Sequence, residues 1–258
     1  MTSQTGQIAP PRLAELEILD LEVAYGDFQV LWGVSLSVPA GEISCLLGAN
    51  GSGKSTLLNA VAGMVRPKAG QVLFEGQPVA GLATHKLVDR GLVLVPERRR
   101  LYPDMTVWEN LWMGGWSRRA RAARRTSLEE VYDYFPSLRE KATQPADELS
   151  GGQQQMVAIG RGLMARPRFL ILDEPFLGIS QHMVGVISEV LQRINKTGMS
   201  ILLIDQDVHR ALTLSARAFV LDGGRLVLEG DAKELLQGDA IRKIYMGDQA
   251  SSAADGGS

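Results

Sequence analysis

The chain has 258 residues, with 27 Lys and Arg against 29 Asp and Glu, a net charge of −2 at neutral pH. Hydrophobic residues make up 45% and charged residues 22%, an ordinary globular composition on a chain long enough to bury a large core. That balance argues against a bulk polyanion binder, and apolar runs of only four residues, such as Phe169–Leu172 and Ile201–Ile204, exclude a membrane-spanning helix, which needs about 20.

Met1–Ile8 has no basic residue and no apolar core, and Thr2 stands where myristoylation requires glycine. Neither a secretory leader nor that lipid anchor is expected. Cys45 is the only cysteine, which leaves no internal disulfide and no cysteine-based metal site. The expected compartment is the cytosol. Residues 1–12 and 249–258 read as flexible tails around a single domain over residues 13–248.

In chain order, Leu16–Ala24 reads as a strand, and Ile43–Leu47 as a second, buried one. It runs into Gly48-Ala49-Asn50-Gly51-Ser52-Gly53-Lys54-Ser55-Thr56, which fits the phosphate-loop pattern G-x-x-x-x-G-K-[ST]. A helical pattern over Lys54–Gly63 follows, so the motif stands in the strand–loop–helix context it requires. Glycines let the backbone wrap closely, amide N–H groups point inward, and the helix start adds its dipole. Lys54 is placed to reach the β- and γ-phosphates, and Ser55 to ligate Mg²⁺. The loop alone indicates nucleotide binding and no more, because kinases, GTPases and ATPases share it.

Val72–Phe74 and Leu92–Val95 read as further strands. Residues 98–166 show no clear strand and read as a helical insertion. Within it, Trp108, Trp112 and Trp116 are spaced to share one helix face, provided the helix passes Gly114 and Gly115. Packing inside the insertion and a groove for a partner helix are both open readings. Arg118, Arg119, Arg121, Arg124 and Arg125 follow, and they read as a solvated face or as a patch for anionic lipid or an acidic partner. Clustering alone gives little support to nucleic-acid binding, which is not expected.

Leu149-Ser150-Gly151-Gly152-Gln153 opens another helical run, with Ser150 as N-cap and two glycines exposing the helix-start amides. One γ-phosphate does not need two cradles from one subunit. The economical reading is that each subunit's second cradle closes on the partner's nucleotide across a two-fold dimer. Phe169–Leu172 then reads as a buried strand ending in Asp173-Glu174-Pro175. Ligands in open α/β sheets bind at the carboxyl ends of strands, so both acids lie at the edge that carries the phosphate loop. Asp173 suits the Mg²⁺ shell, and Glu174 can orient and deprotonate an attacking water. Helices over Met183–Lys196 and Val208–Ser215 and strands at Ile201–Ile204, Ala218–Leu221 and Leu226–Leu228 complete an alternating pattern. That alternation predicts an α/β fold around a mostly parallel sheet. His85, His182 and His209 lack metal-ligand spacing.

The three motifs Gly48–Thr56, Leu149–Gln153 and Leu170–Pro175, in this order and spacing, resemble an ABC-transporter ATPase subunit over roughly residues 14–247. The resemblance implies a P-loop NTPase core, an antiparallel β-subdomain and a helical subdomain at about residues 98–166, with ATP held between two subunits head to tail. It implies that Tyr25 stacks on adenine, that Glu97 replaces the family's usual glutamine, and that Gln206 replaces its switch histidine. Gln206 can donate a hydrogen bond to a γ-phosphate but cannot exchange a proton, which leaves the catalytic work to Glu174. Pro96–Leu111, Gly151–Arg161 and Ala240–Gly247 resemble one branch, the LivF-type ATPase of branched-chain amino acid importers. Phe176 and Ser180 depart from that pattern. The implied partners are a second, related ATPase chain, separate transmembrane permeases and, indirectly, a substrate-binding protein, at the cytoplasmic side of the inner membrane. Urea, amide or other amino-acid importers are the near alternative, and a soluble ABC ATPase of DNA repair or translation the distant one.

Overall fold

The computed structural model describes residues 14–238 and 241. Both tails and nearly all of the Ala240–Gly247 pattern lie outside the described residues. The first half of the chain forms β1 (Ala14–Tyr25), β2 (Phe28–Pro39), β3 (Ile43–Leu47), α1 (Lys54–Val61), β4 (Ala69–Phe74), β5 (Gln77–Pro78), α2 (Thr84–Arg90) and β6 (Leu92–Val95). The insertion carries α3 (Val107–Gly114), α4 (Arg118–Arg121), α5 (Arg124–Tyr134), α6 (Pro136–Glu140) and α7 (Gly151–Leu163). The rest runs β7 (Phe169–Asp173), α8 (Gln181–Asn195), β8 (Ser200–Ile204), α9 (Val208–Leu214), β9 (Arg217–Asp222), β10 (Arg225–Asp231) and α10 (Ala232–Gln237).

Two sheets form. One is antiparallel, in the order β2-β1-β4-β5; the other has six strands, in the order β10-β9-β3-β8-β7-β6, parallel except for β10 at its edge. The central strands are apolar throughout because each face is covered. Leu170 and Leu172 of β7 join the core shared with the helical insertion, while Phe169 and Ile171 join the core shared with α1 and the antiparallel sheet. In β8, Ile201 and Leu203 face one core and Leu202 and Ile204 the other. A period-two strand between two apolar layers gives a continuous apolar run. Because β6, β7, β8 and β3 are parallel neighbours, their carboxyl ends lie along one edge, and the loops that follow them meet there.

The sequence expectation places no strand between Ala24 and Ile43, yet β2 fills twelve residues there. Its buried set is Leu31, Val34, Leu36 and Val38, and the register against β1 shifts between Leu21↔Val34 and Val23↔Leu31. That irregularity, at Trp32–Gly33, puts the alternation out of phase and hides the strand from a period-two reading. A second correction concerns the tryptophans. α3 ends at Gly114, so Trp116 lies beyond the helix that carries Trp108 and Trp112. Trp108 and Trp112 stack, with ring centroids 5.3 Å apart. Of the arginines that follow, Arg118, Arg119, Arg121 and Arg125 are exposed, as the solvated-face reading expects, whereas half-buried Arg124 packs 4.7 Å over Trp112 and 5.4 Å over Trp116, and Arg121 lies 5.1 Å over Trp116.

Candidate functional site

The loop after β3 turns into α1 through glycines whose backbones a side chain would obstruct. A Cβ at Gly48 would strike the Leu221 carbonyl oxygen and Ser52 Oγ, and Gly53, with φ 104°, caps α1. Lys54 is buried, and its Nζ donates to the carbonyl oxygens of Gly48 at 2.7 Å and Ala49 at 2.9 Å. Burial lowers its pKa, and the charges of Glu174 and Asp173 oppose that fall. Ser52 Oγ is buried without a hydrogen-bond partner.

β7 delivers Asp173 and Glu174 to the same edge. Asp173 has its pKa pushed up to about 6, first by burial, then by the neighbouring Glu174 and Glu97 carboxylates. Glu174 has φ 48°, a left-handed conformation unusual for a residue with a side chain. Its N–H donates to Ile204 O of β8 at 2.9 Å, and its Oε1 accepts from Gln206 Nε2 at 2.6 Å. The strand order therefore joins, side by side, residues far apart in sequence. A cleft of about 420 Å³ lies between them, lined by Val30, Asn50, Gly51, Gly53, Lys54, Ser55, Thr56, Glu97, Glu174, Leu177 and Gln206.

Not every residue singled out from the sequence reaches that cleft. Tyr25 ends β1, is 47% exposed and does not line it. Ser150, Gly151, Gly152 and Gln153 open α7 and do not line it either. Ser150 Oγ accepts from the Gln153 N–H, and Gln153 Oε1 accepts from the Ser150 N–H, a reciprocal capping box. Ser180, a departure in the sequence pattern, caps α8 by accepting from the Met183 N–H. Val30 was not singled out from the sequence; it sits on β2, whose broken alternation conceals it.

Among the described residues no group of three or more His, Cys, Asp or Glu is arranged to hold a metal ion. Ser55 and Asp173 offer two oxygen donors beside the phosphate loop. Two protein donors suit Mg²⁺, which completes its shell with phosphate oxygens and water rather than with a protein cage.

A sequence model described as ABC transporter matches residues 31–177, more than half of the chain. The chain belongs to the ABC transporter ATPase family. It is 39% identical over 223 residues to the high-affinity branched-chain amino acid transport ATP-binding protein BraG of Pseudomonas aeruginosa, covering 86% of this chain and 95% of that one. It is also 32% identical over 241 residues to the lipopolysaccharide export system ATP-binding protein LptB of Escherichia coli, covering 92% of this chain and 98% of that one. The fold matches the crystal structure of an ATP-binding cassette of an ABC transporter in its ADP conformation, with a TM-score of 0.81 and 28% identity, covering 91% of this chain and 99% of that one. The chain is thus an ATP-hydrolysing, ATP-binding subunit of an ABC transporter. Among its described residues no helix is long and apolar enough to cross a membrane.

Proposed function

We propose that this ABC ATPase powers uptake through separate membrane permeases, with a branched-chain amino acid as the transported substrate. The substrate rests on the 39% identity to BraG, a branched-chain amino acid transport ATP-binding protein. The similarity to LptB favours a second reading, in which the same motor serves a different cargo. The chain would work peripherally at the cytoplasmic face of the inner membrane, paired head to tail with a second, related ATPase chain. Trp108 and Trp116, 41% and 64% exposed, would form part of the permease-facing surface. Co-purification with tagged chain tests the assembly. Permeases and a binding protein are expected, and the binding protein's ligand decides between amino acid and other cargo.

In the catalytic reading, the amides and side chains of Gly48–Thr56 bind the ATP phosphates, with Lys54 at the β- and γ-phosphates. Tyr25 stacks on the adenine. Ser55 and Asp173 would hold Mg²⁺, which neutralises charge on the phosphates. Glu174 orients the attacking water and takes its proton, Gln206 donates to the γ-phosphate, and Glu97 faces the same space. Ser150, Gly151, Gly152 and Gln153 close on the nucleotide of the partner subunit. The observation that supports this most directly is the 2.6 Å hydrogen bond between Gln206 and Glu174 at the cleft containing Lys54. Glu174→Gln should retain ATP binding, lose turnover by at least about 100-fold and accumulate as an ATP-bound dimer on gel filtration. Wild-type hydrolysis by that variant would remove Glu174 as the base.

A further inference from the structure

Phe176, one of the two departures from the resembled pattern, stands two residues beyond Glu174 and is buried. In the fold its ring lies against the guanidinium of Arg210 on α9, 4.8 Å from ring centroid to Cζ. The same guanidinium grips buried Asp205, with Nε donating to Oδ2 and an Nη2 group to Oδ1, both at 2.7 Å. Nη1 lies 3.3 Å from Asp207 Oδ2, and the Arg210 N–H donates to Asp207 Oδ1 at 3.0 Å. Asp205 Oδ1 also accepts from the Asp207 N–H at 3.0 Å. Asp205 and Asp207 flank Gln206 directly.

We propose that Arg210 is a positioning residue for ATP hydrolysis: its edge fixes the Asp205–Asp207 turn that carries Gln206, while its face fixes Phe176 in the loop that carries Glu174. The two loops are otherwise joined at this point by the Glu174 N–H to Ile204 carbonyl bond and by the Gln206–Glu174 bond itself. A left-handed Glu174 costs energy and needs support from its surroundings, and a neighbouring ring held from the opposite loop supplies it. A partly buried ion pair is weak grounds for stability, since an apolar pair of the same volume often stabilises as well. What the pair adds is a fixed direction. A planar guanidinium can form a two-pronged bond with a carboxylate and stack on an aromatic ring at once, and a lysine cannot. The proposal rests on the reading of Glu174 as base and Gln206 as γ-phosphate donor, and it adds what aligns them.

The test uses the full chain, in complex with its partner subunits where these are needed for turnover. Three measurements are made on Arg210→Lys and Phe176→Leu. These are the kcat–KM split for Mg-ATP, the melting midpoint, and the Gln206 side-chain amide resonance in selectively ¹⁵N-glutamine-labelled chain, assigned by its loss in Gln206→Ala. Both variants should lower kcat by about 10- to 100-fold with KM within about twofold, the scale expected from a small misplacement of catalytic groups. The Gln206 amide should shift towards its position in Glu174→Ala, with little change in melting midpoint. An unmoved Gln206 resonance in a folded Arg210→Lys chain overturns the proposal, as does a loss of kcat that only tracks a fall in melting temperature. The resonance reads positioning without turnover. If Glu174→Gln hydrolyses normally while Arg210→Lys still shifts Gln206, the base assignment fails and the clamp stands.

Discussion

Cys45 shows what one residue's surroundings impose. It sits in β3 between β8 and β9, fully buried, and burial pushes its thiol up to about 12. The folded value lies above the unfolded one. Its contribution to stability is therefore intact below an unfolded pKa of about 8.5 and is lost as pH rises towards 12. A maleimide or disulfide reagent at pH 8 should leave the native chain unlabelled for hours and label it within minutes in denaturant. Stoichiometric labelling of the native chain would show that β3 opens readily. The residues of the phosphate loop and Asp173-Glu174 were legible in the sequence because their spacing is local and their context, strand then helix, is local too. Val30 was not, since its place on the cleft follows from β2 packing beside that loop.

At the scale of one element, α3 is built from its first turn. Thr106 Oγ1 accepts from the Glu109 N–H at 3.2 Å, and Glu109 Oε2 accepts from the Thr106 N–H at 2.8 Å and from its hydroxyl at 2.7 Å. Those donors, the backbone N–H foremost, hold the Glu109 carboxyl below the usual carboxylate range. Its folded pKa is lower than its unfolded one, so its contribution is present above the unfolded value and disappears as pH falls through the folded value. Thr106→Ala should cost about 1 kcal/mol in urea unfolding at neutral pH, and the difference should narrow in acid. A constant difference down to pH 3 would show that the carboxylate takes no part. The end of the same helix was open in the sequence. Gly114 and Gly115 permit either a stop or a continuation, and the structure stops it. A Cβ at Gly114 would strike the Arg161 carbonyl oxygen of α7, so close packing of two helices explains the glycine better than any local signal does.

For the whole molecule, the two sheets and the phosphate loop meet at the β9–β10 turn. Gly224, with φ 75°, accepts from the Trp32 N–H of β2 at 3.0 Å and donates to the Ser52 carbonyl oxygen at 3.0 Å. A Cβ there would run into the Val30 carbonyl oxygen. Gly224→Ala should therefore destabilise the chain by about 2–4 kcal/mol and weaken nucleotide binding together with it, because strain and overlap act on the strand that lines the cleft. An unchanged urea midpoint would argue that β2 moves freely relative to the core.

The phosphate loop, the buried parallel strands, the paired acids at a strand end and the family are all readable from the chain alone. Each is written in neighbouring residues, where chemistry and period are set by the chain. Which loops stand side by side follows from the folded sheet and from nothing local. Strand order puts β8 between β3 and β7, and so brings Gln206 to Glu174 and Arg210 to Phe176 across more than 30 residues of chain. The fold also leaves Ser150–Gln153, at the start of α7, outside the cleft that holds Lys54. Strand order arises from burying both faces of a sheet at once, and no local pattern encodes it.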